Sequence, residues 1–324
     1  VGRLGFSFMR LLRAIFHRLA RAGILELAIL RYLRVGFVSR EAKHEEQRVT
    51  AASSRTGVQT LNPAGLREEL GKPDADTLFI LGSGASVNSL TESHFDTIAD
   101  QISVGVNAWV LHSFVPDFYS YEPVSERHYD QFRTLTFMSR ADILDRKPHI
   151  VFLKPRNAVE EEQLCMIPRD LAPLTHLYGR FQPFTRRLSN LAGDLDTTLK
   201  RLTPASPVVP DSGASVVRLV SLGLLMRFKK IVLVGVDLFG SNYFWEDDPS
   251  HLTRNGVTSW EGGQKPGLHE TMSPQNRAFV ALDMFGALGS VSRQRGIQLL
   301  VASTQSLLTT RLDGYSFPDG QRKH

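Results

Sequence analysis

The turn Gly82-Ser83-Gly84-Ala85-Ser86 is the first segment whose residue types suit ligand chemistry. Glycine removes side-chain obstruction and exposes backbone amide donors, so such a turn lets a phosphate or a ribose approach closely. The same pattern also occurs in a plain strand-to-helix connection. It does not match the dinucleotide fingerprint, because Val87 replaces the third glycine and Asn107, not an acid, follows the next apolar run. It also lacks the Gly-Lys-Ser/Thr ending of a P-loop.

The segment 240–272 combines glycines with aromatic residues and ends near His269. It has few periodic apolar residues and is too long for a simple connector, which predicts a lid over an active site. His269 is the candidate general base, because an imidazole titrates near neutral pH. A surface or capping role is its alternative. Glu246-Asp247-Asp248 are three adjacent acids without a supporting cluster, so we expect them to be solvated and expect no metal site.

Other polar residues also follow apolar runs. Asn107 follows Ile102–Val106, and Asp237 and Phe239 follow Ile231–Val236. Asp211-Ser212-Gly213 precedes an apolar helical stripe, so it can cap that helix or form an anion site at its start. Asp237 can likewise cap a buried turn or face a ligand.

The elements that position these residues alternate between strand and helix. Short apolar runs predict strands at 77–81, 102–106, 150–153, 231–236 and 297–302, and helical spacing predicts helices at 214–226 and 275–294. This order predicts an α/β fold with a doubly wound, mostly parallel sheet, as in Rossmann-like proteins. Ligands of such sheets bind beyond the carboxyl ends of the strands.

Composition excludes several classes of protein. The 324 residues are 42% hydrophobic and 22% charged, as in ordinary globular proteins. The one cysteine, Cys165, excludes an intramolecular disulfide and a cysteine-built metal centre. Residues 1–40 carry eight arginines and one glutamate, a net +7, so the remainder of the chain sums to −2 against a total of +5. The body is therefore not expected to bind nucleic acid.

Three regions follow from these patterns. Residues 1–40 form an amphipathic basic helical arm, 41–75 a polar linker with a short helix near 64–70, and 76–324 the ligand-binding domain. No run reaches the length of a membrane span. The arm is suited to an anionic membrane surface. Packing on the body or on a second subunit is the alternative.

Taken in order, these motifs resemble the bacterial sialyltransferases of glycosyltransferase family 42, over residues 77–310. The resemblance is carried by Phe79–Ser86, Val106-Asn107, Asp211-Ser212-Gly213, Val234–Phe239, Tyr243, His269 and Thr304–Leu308. Ser83 stands where the family has a nucleotide-binding asparagine, and Phe239 where it has the first of two phosphate-binding tyrosines. Glu122-Pro123 stands where it has Asn-Pro.

The resemblance implies that the sheet is a GT-A-like Rossmann variant. It also implies a metal-independent inverting transferase that needs no cofactor and uses a CMP-activated sugar as donor. His269 is then the base, and Tyr243 stabilises the leaving phosphate. The implied substrate-binding residues are Gly82, Ser83, Gly84, Ser86, Asn107, Glu122, Asp211, Ser212, Gly213, Asp237 and Phe239.

The expected function is transfer of a sialic acid or a related 2-keto sugar acid to a glycan or lipid-linked saccharide, within lipopolysaccharide biosynthesis. The expected location is the inner face of the bacterial inner membrane, with a homo-oligomer as one possibility. Three alternatives remain open: a CMP-Kdo-dependent Kdo transferase, a pterin pyrophosphokinase-like nucleotide enzyme, and an inactive membrane-bound nucleotide-binding scaffold.

Overall fold

A computed structural model describes residues 28–121, 143, 145, 151–153, 164, 167–181, 187–202, 205–211, 214–239, 242–258, 269–273 and 279–318. Eleven strands are described within these residues. They are β1 (Gln59–Thr60), β2 (Thr77–Leu81), β3 (Ile102–Val106), β4 (Phe118–Ser120), β5 (Val151–Leu153), β6 (Thr175–Leu177), β7 (Gly179–Phe181), β8 (Val208–Pro210), β9 (Lys230–Val234), β10 (Gln298–Val301) and β11 (Asp313–Gly314).

Eight α-helices accompany these strands in the same described ranges. They are α1 (Ala28–Thr56), α2 (Leu66–Glu69), α3 (Glu92–Ala99), α4 (Leu188–Arg201), α5 (Ser215–Leu225), α6 (Phe244–Asp247), α7 (Ser250–Arg254) and α8 (Ala281–Gln294). Short 3₁₀ turns lie at Ala85–Ser89, Asn107–Leu111, Ala172–Leu174, Glu270–Met272 and Leu307–Thr310.

Nine strands form one sheet in the order β1-β6-β5-β4-β3-β2-β9-β10-β11, and every neighbouring pair is parallel. β7 and β8 form a separate parallel pair. The chain runs from β2 to β3 on one side, whereas β9 and β10 lie on the other side of β2. The strand order therefore reverses between β2 and β9, and a crevice at their carboxyl ends is where such sheets bind ligands.

Both faces of the sheet are covered. Every residue of β2 is buried, which explains its continuous apolar run. Leu78 and Ile80 pack in one core cluster with residues of α4, α5 and α8. Phe79 and Leu81 pack in a second cluster with Ile98 of α3 and Phe244 of α6. The predicted doubly wound, mostly parallel α/β fold is thus confirmed.

The predicted strands agree closely with the observed ones where an apolar run is bounded by glycine. β2 and β3 have the predicted bounds. β9 ends at Val234, two residues before the predicted end, because Gly235 adopts a left-handed conformation with φ of 63°. Only glycine adopts this φ without steric cost.

The structure differs from the linker expected over residues 41–75. α1 continues to Thr56. Val38, Val49 and Ala52 of this helix are buried in the two core clusters. β1 then pairs with β6 at the edge of the sheet. The buried positions recur at helical spacing, but the charged and small residues between them hide that stripe in the sequence.

Of the amphipathic arm expected over residues 1–40, residues 1–27 lie outside the described residues. Within the part of the chain that the structure describes, no helix has both the length and the apolar character that a membrane crossing requires.

Candidate functional site

The glycine turn after β2 is fixed on the end of β9. The amide of Gly82 donates to the carbonyl of Val234 at 2.7 Å, and the amide of Gly84 donates to the carbonyl of Gly235 at 2.8 Å. The sequence suggested that the amides of this turn bind a phosphate. The structure assigns these two amides to the neighbouring strand, since both are already bonded there. The amide of Ser83, between them, remains the candidate donor.

Asp237, which follows β9, binds the same turn through its carboxylate. Its Oδ2 accepts from the amide of Ser86 at 3.1 Å, and its Oδ1 accepts from the Ser86 hydroxyl at 2.6 Å. A Cβ on Gly84 would collide with this carboxylate. Gly84 is therefore required by the close approach of Asp237, whereas the sequence suggested approach by a ligand.

Tyr243 is held against the turn by the backbone. It forms an isolated antiparallel bridge with Gly84, and the amide of Phe244 donates to the carbonyl of Ser83 at 3.0 Å. The ring of Tyr243 stacks on that of Trp245, with ring centroids 4.4 Å apart and an interplanar angle of 13°. The two predicted site segments around Gly84 and Tyr243 are thus in direct contact.

Residues 242–258 pack against the core beside the contact between Gly84 and Tyr243. Phe244, Trp245 and His251 are buried, and Phe244 lies edge-on to the rings of both His112 and His251. The lid expected over 240–272 therefore differs from the structure in this half, because its aromatic residues fill the core. Residues 240–241 and 259–268 lie outside the described residues.

The imidazoles of His112 and His251 stack on each other, with ring centroids 5.0 Å apart. Burial, followed by the charges of His251 and Arg254, lowers the pKa of His112 to about 3. Burial also lowers the pKa of His251. Both rings are therefore neutral at physiological pH, so this pair places no positive charge near Tyr243.

Glu246, Asp247 and Asp248 have local structural roles. The Glu246 carboxylate accepts from the amide of Tyr243 at 2.7 Å, and that of Asp248 accepts from the amide of Ser250 at 3.0 Å. Asp247 accepts from the side-chain amide of Asn242. Within the described ranges no group of three or more His, Cys, Asp or Glu residues is arranged to hold a metal ion.

His269 lies beside Leu238, in the segment that follows β9. Its amide donates to the carbonyl of Leu238 at 3.3 Å. Its ring is half-buried, and Nδ1 accepts from the amide of Thr271 at 3.1 Å, with the Thr271 hydroxyl oxygen 2.9 Å from the same nitrogen. Leu238 has a φ of 58°, which is uncommon for a residue with a side chain and typical of functional sites.

The segment after β10 holds the end of β9 from the other side. The hydroxyl of Ser306 donates to the carbonyl of Val236 at 2.6 Å, and the amide of Leu307 donates to the carbonyl of Asp237 at 3.0 Å. These bonds fix the backbone that presents Asp237 and Leu238.

Asn107 and Phe239 are both exposed at this edge. Asn107 follows β3 with a φ of 54°, a conformation that asparagine tolerates better than most residues. The Ser83 hydroxyl lies 3.4 Å from the carbonyl of Val106, the residue before Asn107, which is at the limit of a hydrogen bond. Phe239 leaves 62% of its surface exposed. Neither side chain is committed to the core, so both are available to a ligand.

Asp211 is part of a buried ion network. Its Oδ1 accepts from Arg218 at 2.9 Å, and its Oδ2 lies 3.5 Å from a guanidinium nitrogen of Arg180. Ala214 is the N-cap of α5. Asp211 is therefore an ion-pair partner and not the helix cap that the sequence suggested. Glu122, Ser212 and Gly213 lie outside the described residues.

The structure thus brings the segments of Gly82–Ser86, Asn107, Asp237–Phe239, Tyr243 and His269 to one edge of the sheet. Sequence reasoning missed Thr271 and Asn88, whose side-chain amide donates to the carbonyl of Phe244 at 2.8 Å. It gave Ser306 no individual role. A hydroxyl two residues after the candidate base was the available signal for Thr271.

No known protein-family profile matches this sequence, and no curated protein matches it significantly. Among solved structures, the chain is similar to the sialyltransferase CstII from Campylobacter jejuni in complex with the substrate analogue CMP-3FNeuAc. The TM-score is 0.40 and the sequence identity 16%, over 74% of this chain and 86% of that chain. The sialyltransferase CST-II in complex with a trisaccharide acceptor and CMP gives a TM-score of 0.39 and 14% identity, over 74% and 85%. Identities this low assign no residue roles to this chain.

Proposed function

We propose that this chain is a glycosyltransferase that uses a nucleotide-activated sugar without a metal ion. More specifically, the proposed donor is CMP linked to a sialic acid or a related 2-keto sugar acid, and the proposed acceptor is a hydroxyl of a saccharide. The resemblance of its ordered motifs to the family 42 sialyltransferases supports this choice of donor.

One observation carries the proposal. At the point where the strand order reverses, Tyr243 is bridged to the glycine turn, and His269 is bonded to Leu238 in the segment after β9, which the same turn contacts through Asp237. The two segments that carry the phenol and the imidazole are therefore joined to one backbone at the edge of the sheet. This edge is the usual ligand site of doubly wound sheets.

The proposed reaction requires one proton transfer and one displacement. His269 takes the proton from the acceptor hydroxyl while the hydroxyl oxygen bonds to the anomeric carbon of the donor. The bond from that carbon to the phosphate oxygen breaks on the opposite side, so CMP leaves and the configuration inverts. Tyr243 and the amide of Ser83 donate hydrogen bonds to the charge that develops on the phosphate.

Ligand-dependent stabilisation tests the nucleotide part of this proposal. A ligand that binds only the folded chain raises its Tm, and saturation at about 100 times Kd adds about 2.7 kcal/mol to the stability. We expect CMP to raise the Tm more than UDP, GDP or ATP at equal concentration. A rise with UDP or ATP and none with CMP would contradict the proposal.

The reaction itself is tested with His269→Asn. Asparagine keeps a side-chain acceptor that can bond to the amide of Thr271, so the turn is preserved while the imidazole is lost. We expect CMP to stabilise this variant as it does the parent, and we expect transfer from CMP-N-acetylneuraminic acid or CMP-Kdo to fall at least about 100-fold. Binding of CMP with no transfer by the parent would instead favour the nucleotide-binding scaffold.

We also propose that the arm of residues 1–40 holds the enzyme on an anionic membrane surface, on the inner face of the bacterial inner membrane, through its first 27 residues. Their arginines and apolar residues support this proposal. Because α1 packs on the body, the chain that tests it begins at Ala28. We expect the full chain, but not the shortened one, to pellet with vesicles that contain phosphatidylglycerol. Equal pelleting of both chains would contradict the anchor.

A further inference from the structure

We infer that Thr271 is the positioning residue of His269, and that its hydroxyl is the group that lets the imidazole act as a base. The catalytic meaning of this inference rests on the function proposed above. The contact between the two side chains is independent of that function, because it is a feature of the fold.

The first step concerns the neutral ring. The backbone amide of Thr271 donates to Nδ1 of His269 at 3.1 Å. A backbone amide can only donate, so Nδ1 carries a lone pair in this arrangement and the single proton of the neutral ring lies on Nε2. A ring with its proton on Nε2 cannot accept a second proton at that nitrogen.

The second step concerns the reactive ring. To accept a proton at Nε2, the ring must carry its own proton on Nδ1 and must have an acceptor for it. The hydroxyl oxygen of Thr271 lies 2.9 Å from Nδ1. A protonated Nδ1 cannot bond to the Thr271 amide, because both groups are then donors. A rotation of the ring must therefore move Nδ1 from the amide to the hydroxyl oxygen, which can accept once its own hydrogen points elsewhere. The same bond stabilises the imidazolium that forms when Nε2 takes the acceptor proton.

The backbone fixes this pair in place. The amide of Met272 donates to the carbonyl of His269 at 2.7 Å and closes the 3₁₀ turn Glu270–Met272, while the amide of His269 donates to Leu238 at 3.3 Å. The ring and the hydroxyl therefore belong to one tight turn that is bonded to Leu238, in the segment after β9. This is the arrangement of a base oriented by a third group.

The test compares Thr271→Val with Thr271→Ser, because valine keeps the shape and the backbone amide but removes the hydroxyl, whereas serine keeps the hydroxyl. Two-bond ¹H–¹⁵N spectra of the full chain with ¹⁵N-labelled histidine report the tautomer and the titration midpoint of each ring. The resonances of His269 are assigned by their loss in His269→Asn. We expect Thr271→Val to move the midpoint of His269 to lower pH by about half a unit or more, and Thr271→Ser to restore it.

Kinetics give a second readout. With CMP-N-acetylneuraminic acid as donor, we expect Thr271→Val to lower kcat about tenfold with little change in the donor KM, and Thr271→Ser to retain most of the activity. Thr271→Ala replaces the valine variant if the latter does not fold. An unchanged titration midpoint of His269 in the hydroxyl-free variant would overturn the inference. Absence of CMP binding and of transfer in the parent would overturn the proposed function alone, because the spectra still test the contact.

Discussion

The carboxylate of Asp237 bonds to both the amide and the hydroxyl of Ser86, which lie 3.1 and 2.6 Å from its two oxygens. The two residues are 151 positions apart in the chain and follow β9 and β2, the strands between which the strand order reverses. Asp237 is therefore committed to holding the two halves of the site together. Under the proposed function, the donor is therefore bound by neighbouring groups such as Ser83, Tyr243 and His269.

A double-mutant cycle measures the interaction energy between Ser86 and Asp237. Hydrogen bonds to a charged group contribute about 1.5–3 kcal/mol each, so we expect Ser86→Ala, which removes the hydroxyl bond, to lower the free energy of unfolding by about that amount. We expect a larger loss from Asp237→Ala, which also removes the bond from the Ser86 amide. Since both single variants remove the bond between the hydroxyl and the carboxylate, the double variant is expected to cost clearly less than the sum. Urea denaturation provides the values. Asp313→Ala, at an exposed position of β11, is the control, with an expected change within about 0.5 kcal/mol. Additive losses of unfolding free energy would show that Ser86 and Asp237 do not stabilise the fold through a shared interaction.

A pair of glycine substitutions tests why Gly84 is glycine. An alanine methyl group at Gly84 would collide with the Asp237 carboxylate, whereas one at Gly193 of α4 meets no atom within 4 Å. We expect Gly84→Ala to destabilise the chain by about 1–3 kcal/mol, because the methyl group displaces the Asp237 carboxylate from Ser86. Gly193→Ala is expected to stabilise it by about 0.5–1 kcal/mol, because glycine weakens a helix interior. Thermal unfolding of both variants provides the comparison, and equal effects would contradict the steric explanation.

The sheet could be predicted from the sequence because its central strands are buried on both faces. Such strands read as continuous apolar runs, and glycine marks the end of β2. The edge at which the candidate residues meet also followed, since the carboxyl ends of parallel strands share one edge. The position of His269 beside Leu238 could not be predicted from spacing alone.

Other features depend on contacts between distant residues, which one sequence does not encode locally. Asp211 looked like a helix cap because it precedes α5, but the buried Arg218 and the more distant Arg180 take its oxygens. The amides of Gly82 and Gly84 looked available because the register of β2 on β9 was unknown. The stripe of α1 was hidden because charged and small residues lie between Val38, Val49 and Ala52.

The stacked imidazoles of His112 and His251 predict a pH dependence of stability. The pKa of His112 is lowered from 6.5 to about 3 in the folded chain, mainly by burial. Between these values the unfolded chain binds more protons than the folded one, so stability is lost as the pH falls below about 6.5 and is fully present above it. One such histidine contributes a slope of up to about 1.4 kcal/mol per pH unit. His251 adds to this slope, because its pKa is also lowered.

His112→Phe tests the origin of that slope. Phenylalanine keeps a ring against Phe244 but cannot bind a proton, so we expect a shallower decline of the unfolding free energy between pH 6 and 4. The amide of Phe114 loses its acceptor on His112, which lowers stability at every pH without changing the slope. Leu188→Gln, at an exposed position of α4, is the control and should retain the parental slope, because it changes no group that binds protons. Urea denaturation at a series of pH values gives these data, and an unchanged slope in His112→Phe would contradict the assignment.

Phe239→Tyr tests the side of the site that the leaving phosphate occupies under the proposed function. Phe239 is 62% exposed beside the left-handed Leu238, so a hydroxyl on its ring can be added without disturbing the core. A phenol at this position can donate a hydrogen bond to the phosphate, which the phenylalanine ring cannot do. We expect calorimetric titration with CMP to show a Kd about 5- to 10-fold lower in the variant, since one added hydrogen bond is worth about 1 kcal/mol. Leu188→Tyr on α4 is the matched control, because Leu188 is also an exposed large apolar residue, at 55% exposure, and its substitution should leave the Kd unchanged. If CMP binds the Phe239→Tyr protein no more tightly than the parent, the phosphate does not lie within reach of this side chain.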